Sequence, residues 1–233
     1  MQLSLVLAIC ATISISGCSS KPSNKAISEI NFNTSLENLE FDTSSPRFTP
    51  PVKDPAILYR EISDQGRTIA AVKLKEMKPS HIRQMVDYRT DEVPGSIVVD
   101  QNNHFLYFVI PKGKAIRYAI GVGPAALGFT EGDAVIDRKQ EWPRWIPTAS
   151  MVARSPEHYG RYKKGLDGGL SNPLGARALY MQKNGKDTYY RVHGTNRPKS
   201  IGKSVSAGCI RLLNQDIIDL YKRVKIGARI VVL

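Results

Sequence analysis

From about residue 57 to its end, the chain is a series of short runs of β-branched and aromatic residues, which Gly, Pro, Asn or Asp residues separate. The clearest two runs flank Asn184-Gly185, a dipeptide favoured where both central residues of a turn need positive φ. This pattern predicts a tight β-hairpin with strands at 177–183 and 186–193. His193 is then expected at the far end of the second strand.

The remaining runs predict strands at 68–74, 96–100, 105–110, 115–122, 134–137 and 228–233, with 100–103 as a further hairpin connection. One helix is indicated near the end, where Asn214 can act as N-cap, Ile217 and Leu220 follow helical spacing, and Gly227 lies past the C-terminus. Many short strands and one late helix predict a mainly β domain, either a β-sandwich or a partly open barrel.

The first 18 residues form a candidate signal peptide. Residues 3–15 are uncharged and mostly apolar, but too short to span a bilayer. The sequence Ile15-Ser16-Gly17-Cys18 resembles a bacterial lipobox, which implies lipidation of Cys18 and a membrane anchor. Met1 and Gln2 depart from the usual pattern, since neither is the expected Lys or Arg. A signal peptide cut nearby without lipidation is the alternative.

Residues 19–56 are rich in Ser, Asn, Thr and Pro, which predicts a flexible tether. A weak amphipathic helix around 26–40 is the alternative. Residues 57–94 are interpreted as an N-terminal extension of the domain at 95–233.

The chain carries 33 Lys plus Arg against 21 Asp plus Glu, a formal net charge of +12. The basic residues are spread along the chain without a helical stripe or an array of interleaved aromatics, so the charge does not indicate a nucleic-acid partner. A general attraction to anionic envelope polymers is the simpler interpretation.

Three cysteines are present, and Cys209 is the only one outside the candidate signal peptide. An unpaired thiol in an exported protein indicates a nucleophile, with a buried packing residue as the alternative. A thiol of ordinary pKa, about 8.5, needs a neighbouring base, so an activated Cys209 is expected to alkylate well below pH 8. No His-x-x-x-His or paired-Cys spacing occurs, so a metal site is not expected. A cysteine nucleophile with a histidine base implies no cofactor.

The stretch 189–213 reads YYRVHGTNRPKSIGKSVSAGCIRLL and holds the candidate chemistry. His193 is the candidate base, and the Gly194 carbonyl can fix its tautomer. The backbone N–H groups of Gly208 and Cys209 can hold an oxyanion. If 209–211 is extended, Cys209 and Arg211 share one face, and Arg211 can pair with a substrate carboxylate.

HGTN…SIG…SAGCIRL resembles the signature of the YkuD-type L,D-transpeptidase family. Further similar segments are GSIVVD at 95–100, WPRW at 142–145 and NPLGARA at 172–178, so the resemblance covers about 95–233. It implies a mixed β-sandwich and a Cys nucleophile. It also implies attack on the L-to-D peptide bond before the terminal D-Ala of a peptidoglycan tetrapeptide stem, and a thioester that passes to an amine.

Carried over to this sequence, the resemblance makes Cys209 the nucleophile, His193 the general base and Gly194 the residue whose carbonyl orients the imidazole. Ser206, Gly208 and Arg211 match the remaining positions of the motif. Ala207 is a departure, because many family members have His there.

Four residues are expected to bind substrate: Arg211, Ser206, Trp142 and Tyr190. For Arg211 a structural ion pair is the alternative. Trp142, together with Trp145 and Tyr159, can line a groove for the stem peptide or cap the sandwich.

The expected function is therefore an exported, periplasmic, lipid-anchored L,D-transpeptidase whose partners are peptidoglycan stem peptides. The acceptor amine is that of another stem, giving a 3→3 cross-link, or of an envelope protein. The alternatives are an L,D-carboxypeptidase that uses water and a non-catalytic wall-binding lipoprotein.

Overall fold

The computed structural model describes residues 44–123, 132–204 and 209–233. In these ranges the strands are β1 (Ile62–Asp64), β2 (Arg67–Ile69), β3 (Gln84–Asp87), β4 (Ile97–Asp100), β5 (Phe105–Ile110), β6 (Lys114–Ala119), β7 (Gly132–Glu141), β8 (Arg177–Lys183), β9 (Lys186–His193), β10 (Ile210–Arg211) and β11 (Arg229–Val232). The α-helices are α1 (Pro55–Leu58), α2 (Ala149–Arg154), α3 (Pro156–Tyr159) and α4 (Asn214–Arg223).

Nine of the described strands form a single sheet in the order β10-β9-β8-β7-β11-β4-β5-β6-β3, and β1 and β2 form a separate hairpin. The pairs β10–β9 and β11–β4 are parallel, whereas the other neighbours in the large sheet are antiparallel. The prediction of a mainly β domain with mixed strand pairing is confirmed.

The two ends of the large sheet meet through the segment that follows β6. Gly121 exchanges two backbone hydrogen bonds of 2.8 Å with Arg211 of β10, and Val122 bridges to Ser204. A Cβ at Gly121 would lie 2.6 Å from the Ser200 carbonyl oxygen, so this close approach needs glycine. The sheet therefore curls back on itself around a single large core, as a sandwich or partly open barrel must.

The large core lies between the curled sheet and α4. Ile97, Phe108 and Leu179 from the sheet and Ile217 and Leu220 from the helix have no exposed surface. At 10 residues, α4 is the longest helix in the described ranges. None of the helices described here has the length and apolar character needed to cross a membrane.

The predicted hairpin at 177–193 is confirmed with the same strand ends. Asn184 and Gly185 have φ values of 53° and 74°, as the two central residues of such a turn require. The connection after β4 is also confirmed, and there the Asp100 carboxylate accepts a hydrogen bond of 2.9 Å from the Asn103 N–H.

Two predicted features are wrong. A strand at 68–74 is not formed, because β2 ends at Ile69 and the chain then turns, with a 3₁₀ turn at Leu74–Glu76. Asn214 is not the N-cap of α4: Leu213 holds that position, and no side chain caps the helix. The Asn214 side chain instead satisfies backbone groups of two other segments, which sequence spacing does not reveal.

The described part of the predicted tether packs against the domain. Phe48 is 7% exposed and belongs to the large core. The Arg223 guanidinium donates hydrogen bonds to the carbonyls of Arg47 (2.9 Å) and Thr49 (2.7 Å). Residues 44–56 are therefore not a free linker, whereas the signal peptide, Cys18 and the possible helix at 26–40 lie outside the described residues.

The predicted extension at 57–94 supplies β3, an edge strand of the large sheet. Its Tyr59 is 1% exposed, accepts a hydrogen bond of 2.7 Å from the Arg83 N–H and donates one of 3.3 Å to the Asp216 carboxylate. Arg83 also pairs with Asp216, at 3.3 Å. The extension is thus fastened to the first turn of α4 by buried polar groups.

Candidate active site

The parallel pair β9–β10 brings the candidate catalytic residues together. Arg211 lies opposite His193 and Ile210 opposite Val192, and Cys209 directly precedes β10. Ile210 is 4% exposed in the large core, whereas Cys209 and Arg211 line a cleft with His193. The predicted alternation of the three residues from Cys209 to Arg211 is confirmed.

This active-site cleft has a volume of about 370 Å³. Its described lining contains four arginines, namely Arg154, Arg161, Arg197 and Arg211, and no Asp or Glu. One wall is aromatic, since the Trp145 ring lies 6.2 Å from that of Tyr159 and 5.7 Å from that of Tyr162, centroid to centroid. A ligand that combines apolar parts with carboxylates fits such a surface.

His193 is 2% exposed, and its Nδ1 lies 2.6 Å from the Gly194 carbonyl oxygen. A carbonyl oxygen can only accept a hydrogen bond, so Nδ1 carries the proton in the neutral imidazole. This tautomer leaves the lone pair on Nε2, which is the form a general base needs.

Burial, and after it the positive charge of Arg211, lowers the pKa of His193 to about 3. The carbonyls of Gly194 and Leu174 oppose this by favouring the protonated ring. The imidazole is therefore neutral across the physiological pH range.

Burial also raises the pKa of the Cys209 thiol, against the opposing effects of Arg191 and Arg211. Burial therefore favours the neutral thiol of Cys209 in the resting site, and the expectation that an activated Cys209 alkylates well below pH 8 stays a prediction. Burial thus favours the neutral form of both members of the Cys–His pair.

Arg211 is half-buried and has no carboxylate within ion-pair distance in the described part of the chain. Burial lowers the pKa of its guanidinium. The neighbouring Arg191, by contrast, is bound by Asp187 at 2.7 and 2.8 Å. Of the two interpretations of Arg211, the geometry favours a partner in the substrate over a structural ion pair.

Trp142 does not line the active-site cleft, so its prediction as a substrate-binding residue is wrong. It is 7% exposed and packs with Ile69, Ala176 and Ile218 in a second core. Its indole N–H donates a hydrogen bond of 2.8 Å to Asp64, which also binds Arg177 through both carboxylate oxygens at 2.7 and 2.9 Å. Trp142 is held by the hairpin β1–β2, a contact between distant parts of the chain.

Tyr190, Trp145 and Tyr159 do line the active-site cleft. Tyr190 also packs against the large core, so one face of its ring is fixed. Ser206, Ala207 and Gly208 lie outside the described residues. Their predicted roles, and that of the Gly208 N–H as an oxyanion donor, therefore stay predictions.

Sequence reasoning missed what the Asn214 side chain does. Its Oδ1 accepts hydrogen bonds from the backbone N–H groups of Ala176 (3.0 Å) and Thr195 (3.2 Å), and its Nδ2 donates to the Thr195 carbonyl (3.0 Å). A Cβ at Gly194 would come 2.3 Å from the same Oδ1, which explains the glycine. Asn214 thereby fixes the backbone directly after His193.

Replacing Asn214 by Ala is expected to lower the free energy of unfolding by about 2–4 kcal/mol, because it leaves three backbone polar groups without their partner. Urea unfolding measures the loss. Asn103→Ala is the matched control, since it removes an Asn that hydrogen-bonds only in an exposed turn, and it is expected to cost less than about 1 kcal/mol. An equal loss of unfolding free energy in the two variants would contradict the role of the Asn214 side chain in fixing this backbone.

No group of three or more His, Cys, Asp or Glu side chains suited to a metal ion occurs among the residues that the structure describes.

Comparisons with known proteins find relatives that are described as L,D-transpeptidases. The chain is 34% identical over 143 residues to the probable L,D-transpeptidase YbiS of Escherichia coli K12, which covers 60% of this chain but only 45% of YbiS. It is 47% identical over 127 residues to YkuD of Bacillus subtilis, covering 53% of this chain and 70% of YkuD. The chain thus spans less than half the length of the E. coli relative.

A crystal structure from Brucella melitensis, described as a probable carnitine operon oxidoreductase caia, is 49% identical and covers 69% of this chain and 99% of that one. Its TM-score of 0.47 is too low for an argument from shape. The model of the YkuD family, an L,D-transpeptidase catalytic domain, matches residues 94–232. That match includes His193, Cys209 and Arg211 and more than half of the sequence, so the chain belongs to the YkuD family of L,D-transpeptidase catalytic domains.

Proposed function

We propose that this protein is a cysteine-dependent L,D-transpeptidase of peptidoglycan. It acts on tetrapeptide stems, releases the terminal D-Ala through a thioester on Cys209 and transfers the acyl group to an amine. The observation that carries this proposal is the neutral, buried His193, whose Nδ1–H is held by the Gly194 carbonyl beside the strand that begins after Cys209. Family membership supports the same reaction class.

The lining of the active-site cleft supports a stem peptide as substrate. Such a peptide carries free carboxylates, and the described lining offers four arginines and no acidic side chain. Arg211, half-buried on the same face as Cys209, is the candidate partner for the carboxylate nearest the scissile bond. Tyr190 and Trp145 offer apolar surface to the peptide chain.

In the acylation step, the Cys209 thiol gives its proton to Nε2 of His193 while Sγ attacks the carbonyl carbon before D-Ala. The Nδ1–H to Gly194 hydrogen bond stabilises the imidazolium that forms. Backbone N–H groups of Gly208 and Cys209 are the proposed oxyanion donors. Collapse of the tetrahedral intermediate breaks the C–N bond, the leaving amine takes the proton from Nε2, and a thioester remains.

In the second step the acceptor amine attacks the thioester carbonyl and His193 takes its proton. The C–S bond breaks, the thiolate regains the proton, and an amide is formed. Both steps need His193 neutral at the start, which its low pKa ensures.

The low pKa of His193 gives a pH prediction. Because the group is a base with a pKa lowered from 6.5 to about 3, its neutral form is lost only as the pH falls toward 3. We expect kcat/KM for acylation to change by less than about twofold between pH 5 and 7, since kcat/KM reports the free enzyme. The rate of acyl-enzyme formation, followed by mass spectrometry, measures it. An activity that falls about tenfold through a break near pH 6.5 would contradict the buried, neutral base.

The function is tested by incubating the full-length protein with a disaccharide–tetrapeptide, beside a Cys209→Ala control, and weighing the products. A dimer that lacks one D-Ala and is absent from the control is the expected result. Tripeptide without dimer would replace the transpeptidase by the L,D-carboxypeptidase or point to a protein acceptor. Unchanged substrate would favour the remaining alternative, a non-catalytic wall-binding lipoprotein.

Export and anchoring are the second part of the proposal, and the sequence of residues 3–18 supports them. The mature protein is expected in the membrane fraction through lipid on Cys18. Cys18→Ala should move it to the soluble envelope fraction. A wild-type mass without lipid would refute the anchor and leave a cleaved signal peptide.

A further inference from the structure

A second and larger cleft, of about 630 Å³, lies between residues 69–81 of the N-terminal extension and residues 195–203 of the loop that follows His193. The whole of the first wall precedes residue 94, where the match to the family model begins. This extension cleft therefore joins a wall that the family match does not cover to a wall that it does cover.

The floor of the extension cleft is apolar. Val72, Met77 and Ile201 line it and pack around Leu213, which is 4% exposed, in a separate hydrophobic cluster. The two walls of the cleft are in close contact at Gly202, because a Cβ at this position would lie 2.3 Å from the His81 ring.

The rim of the extension cleft is basic. Four lysines line it, Lys73, Lys78, Lys199 and Lys203, against the single carboxylate of Glu76 in the described lining. Glu76 lies 3.7 Å from Lys73 and 3.6 Å from Lys199, so its one charge is shared between them.

Lys78 and Lys203 are exposed, and neither has an acidic partner within ion-pair distance in the ranges that the structure describes. The positive charge at the rim also acts on His81, which lines the first wall of the cleft. Burial lowers the pKa of His81, and the charges of Lys78, His104 and Arg117 lower it further. An anionic ligand is the natural complement of such a surface.

The extension cleft adjoins the candidate catalytic residues. Thr195, two positions after His193, lines it, and Asn196 lines both this cleft and the active-site cleft. The two clefts therefore meet at Asn196.

We propose that the extension cleft binds the acyl acceptor, a peptide that carries several carboxylates and one free amine. This inference rests on the proposed function and names the acceptor as a second peptidoglycan stem. The unpaired Lys78 and Lys203 hold its carboxylates, the apolar floor takes its methylene groups, and its amine reaches the thioester past Asn196. The amine nitrogen replaces sulfur on the acyl carbon, as in the second step above, and His193 takes the proton released.

Charge favours a stem over an envelope protein as acceptor. The diaminopimelate residue and the glutamate before it leave free carboxylates close to the amine, so every acceptor stem presents the charge that the rim complements. An internal Lys of a protein offers the same kind of amine but has no carboxylate fixed beside it.

The experiment compares the full-length wild type with the double variant Lys78→Gln, Lys203→Gln, and with Lys75→Gln as the matched control. Lys75 lies in the same 3₁₀ turn as Glu76 but does not line the cleft. Each protein receives disaccharide–tetrapeptide as donor and excess disaccharide–tripeptide, which has the amine but no D-Ala to lose. The ratio of dimer to hydrolysed tripeptide product, with the donor isotopically labelled, reports the acceptor step apart from acylation.

We expect the ratio to fall about fivefold in the double variant and to stay within about 1.5-fold of wild type in Lys75→Gln. Added salt should lower the wild-type ratio and change that of the double variant less. An unchanged ratio in the double variant, or an equal fall in the control, overturns the acceptor site while leaving the transpeptidase intact. Wild-type hydrolysis without dimer overturns the stem as occupant, and no product at all refutes the proposed function itself.

Binding of the acceptor peptide can also be measured in a protein that cannot react. In Cys209→Ala protein, adding disaccharide–tripeptide should raise the pKa of His81, followed by NMR, because carboxylates then offset the nearby positive charges. The double variant should show a smaller rise at the same peptide concentration. A His81 titration that the peptide leaves unmoved contradicts occupancy of the cleft.

Discussion

His193→Gln is expected to lower kcat/KM for acyl-enzyme formation by about 10³-fold, while the protein stays folded. Gln has a similar length and can keep a hydrogen bond to the Gly194 carbonyl, but it cannot take the thiol proton. That loss is large here because burial raises the pKa of Cys209, so little thiolate forms without a base. Mass spectrometry of the acyl-enzyme over time measures the rate.

His104→Gln is the matched control, since this ring hydrogen-bonds Ser204 (3.0 Å) at an exposed position and does not line the active-site cleft. Its acylation rate should stay within about twofold of wild type. A His193→Gln protein that acylates at the wild-type rate would show that another group deprotonates Cys209. The pH dependence then separates the cases, because a variant without the base should gain rate steadily as rising pH ionises the thiol.

Arg83→Met is expected to lower the free energy of unfolding by about 3–5 kcal/mol at pH 8, the largest stability effect that we predict for a single substitution here. Arg83 is 6% exposed and Asp216 is fully buried. The guanidinium lies 3.3 Å from Asp216 and 3.7 Å from Asp219, and it donates a hydrogen bond of 3.0 Å to the Gln215 carbonyl. Met fills similar space but leaves the Asp216 charge without its partner.

The loss of unfolding free energy in Arg83→Met should be smaller at pH 5.5 than at pH 8. Burial raises the pKa of Asp216 and Arg83 opposes that rise, so the pKa rises further once Arg83 is gone. A carboxyl with a raised folded pKa stabilises the fold while it is protonated, and this stabilisation is lost as the pH rises through that pKa. Urea unfolding at both pH values measures the difference.

Lys114→Met is the control for Arg83→Met, because Lys114 pairs with Asp87, whose side chain is 88% exposed, at 2.5 Å. Water screens such a pair, so its loss should cost less than about 1 kcal/mol. If both substitutions cost the same, the buried pair does not fasten the extension to α4.

Local signals predicted much of the fold. The hairpin around Asn184-Gly185 depends on a dipeptide whose φ preference is intrinsic, and both of its strands have the predicted ends. The spacing of Ile217 and Leu220 predicted α4 because a helix must bury one face. The predicted strand at 68–74 does not form over its full length. Its residues suit a strand, but beyond Ile69 no neighbouring strand pairs with them in the described structure.

Local patterns likewise predicted part of the candidate site. The motif identified Cys209, His193, Gly194 and Arg211, and the period of two along a strand put Cys209 and Arg211 on one face. The motif could not place Trp142, whose indole is held by Asp64, 78 residues away along the chain.

By itself, then, the sequence determined the chemical groups, the family and the local elements, since each depends on residue type and short spacing. The tertiary structure alone decided the protonation states and the clefts. Burial favours the neutral forms of His193 and Cys209, and Asn214 clamps the Thr195 backbone from another element. Desolvation and contacts between distant segments exist only once the chain has folded, because they depend on which surfaces the sheet and α4 bury together.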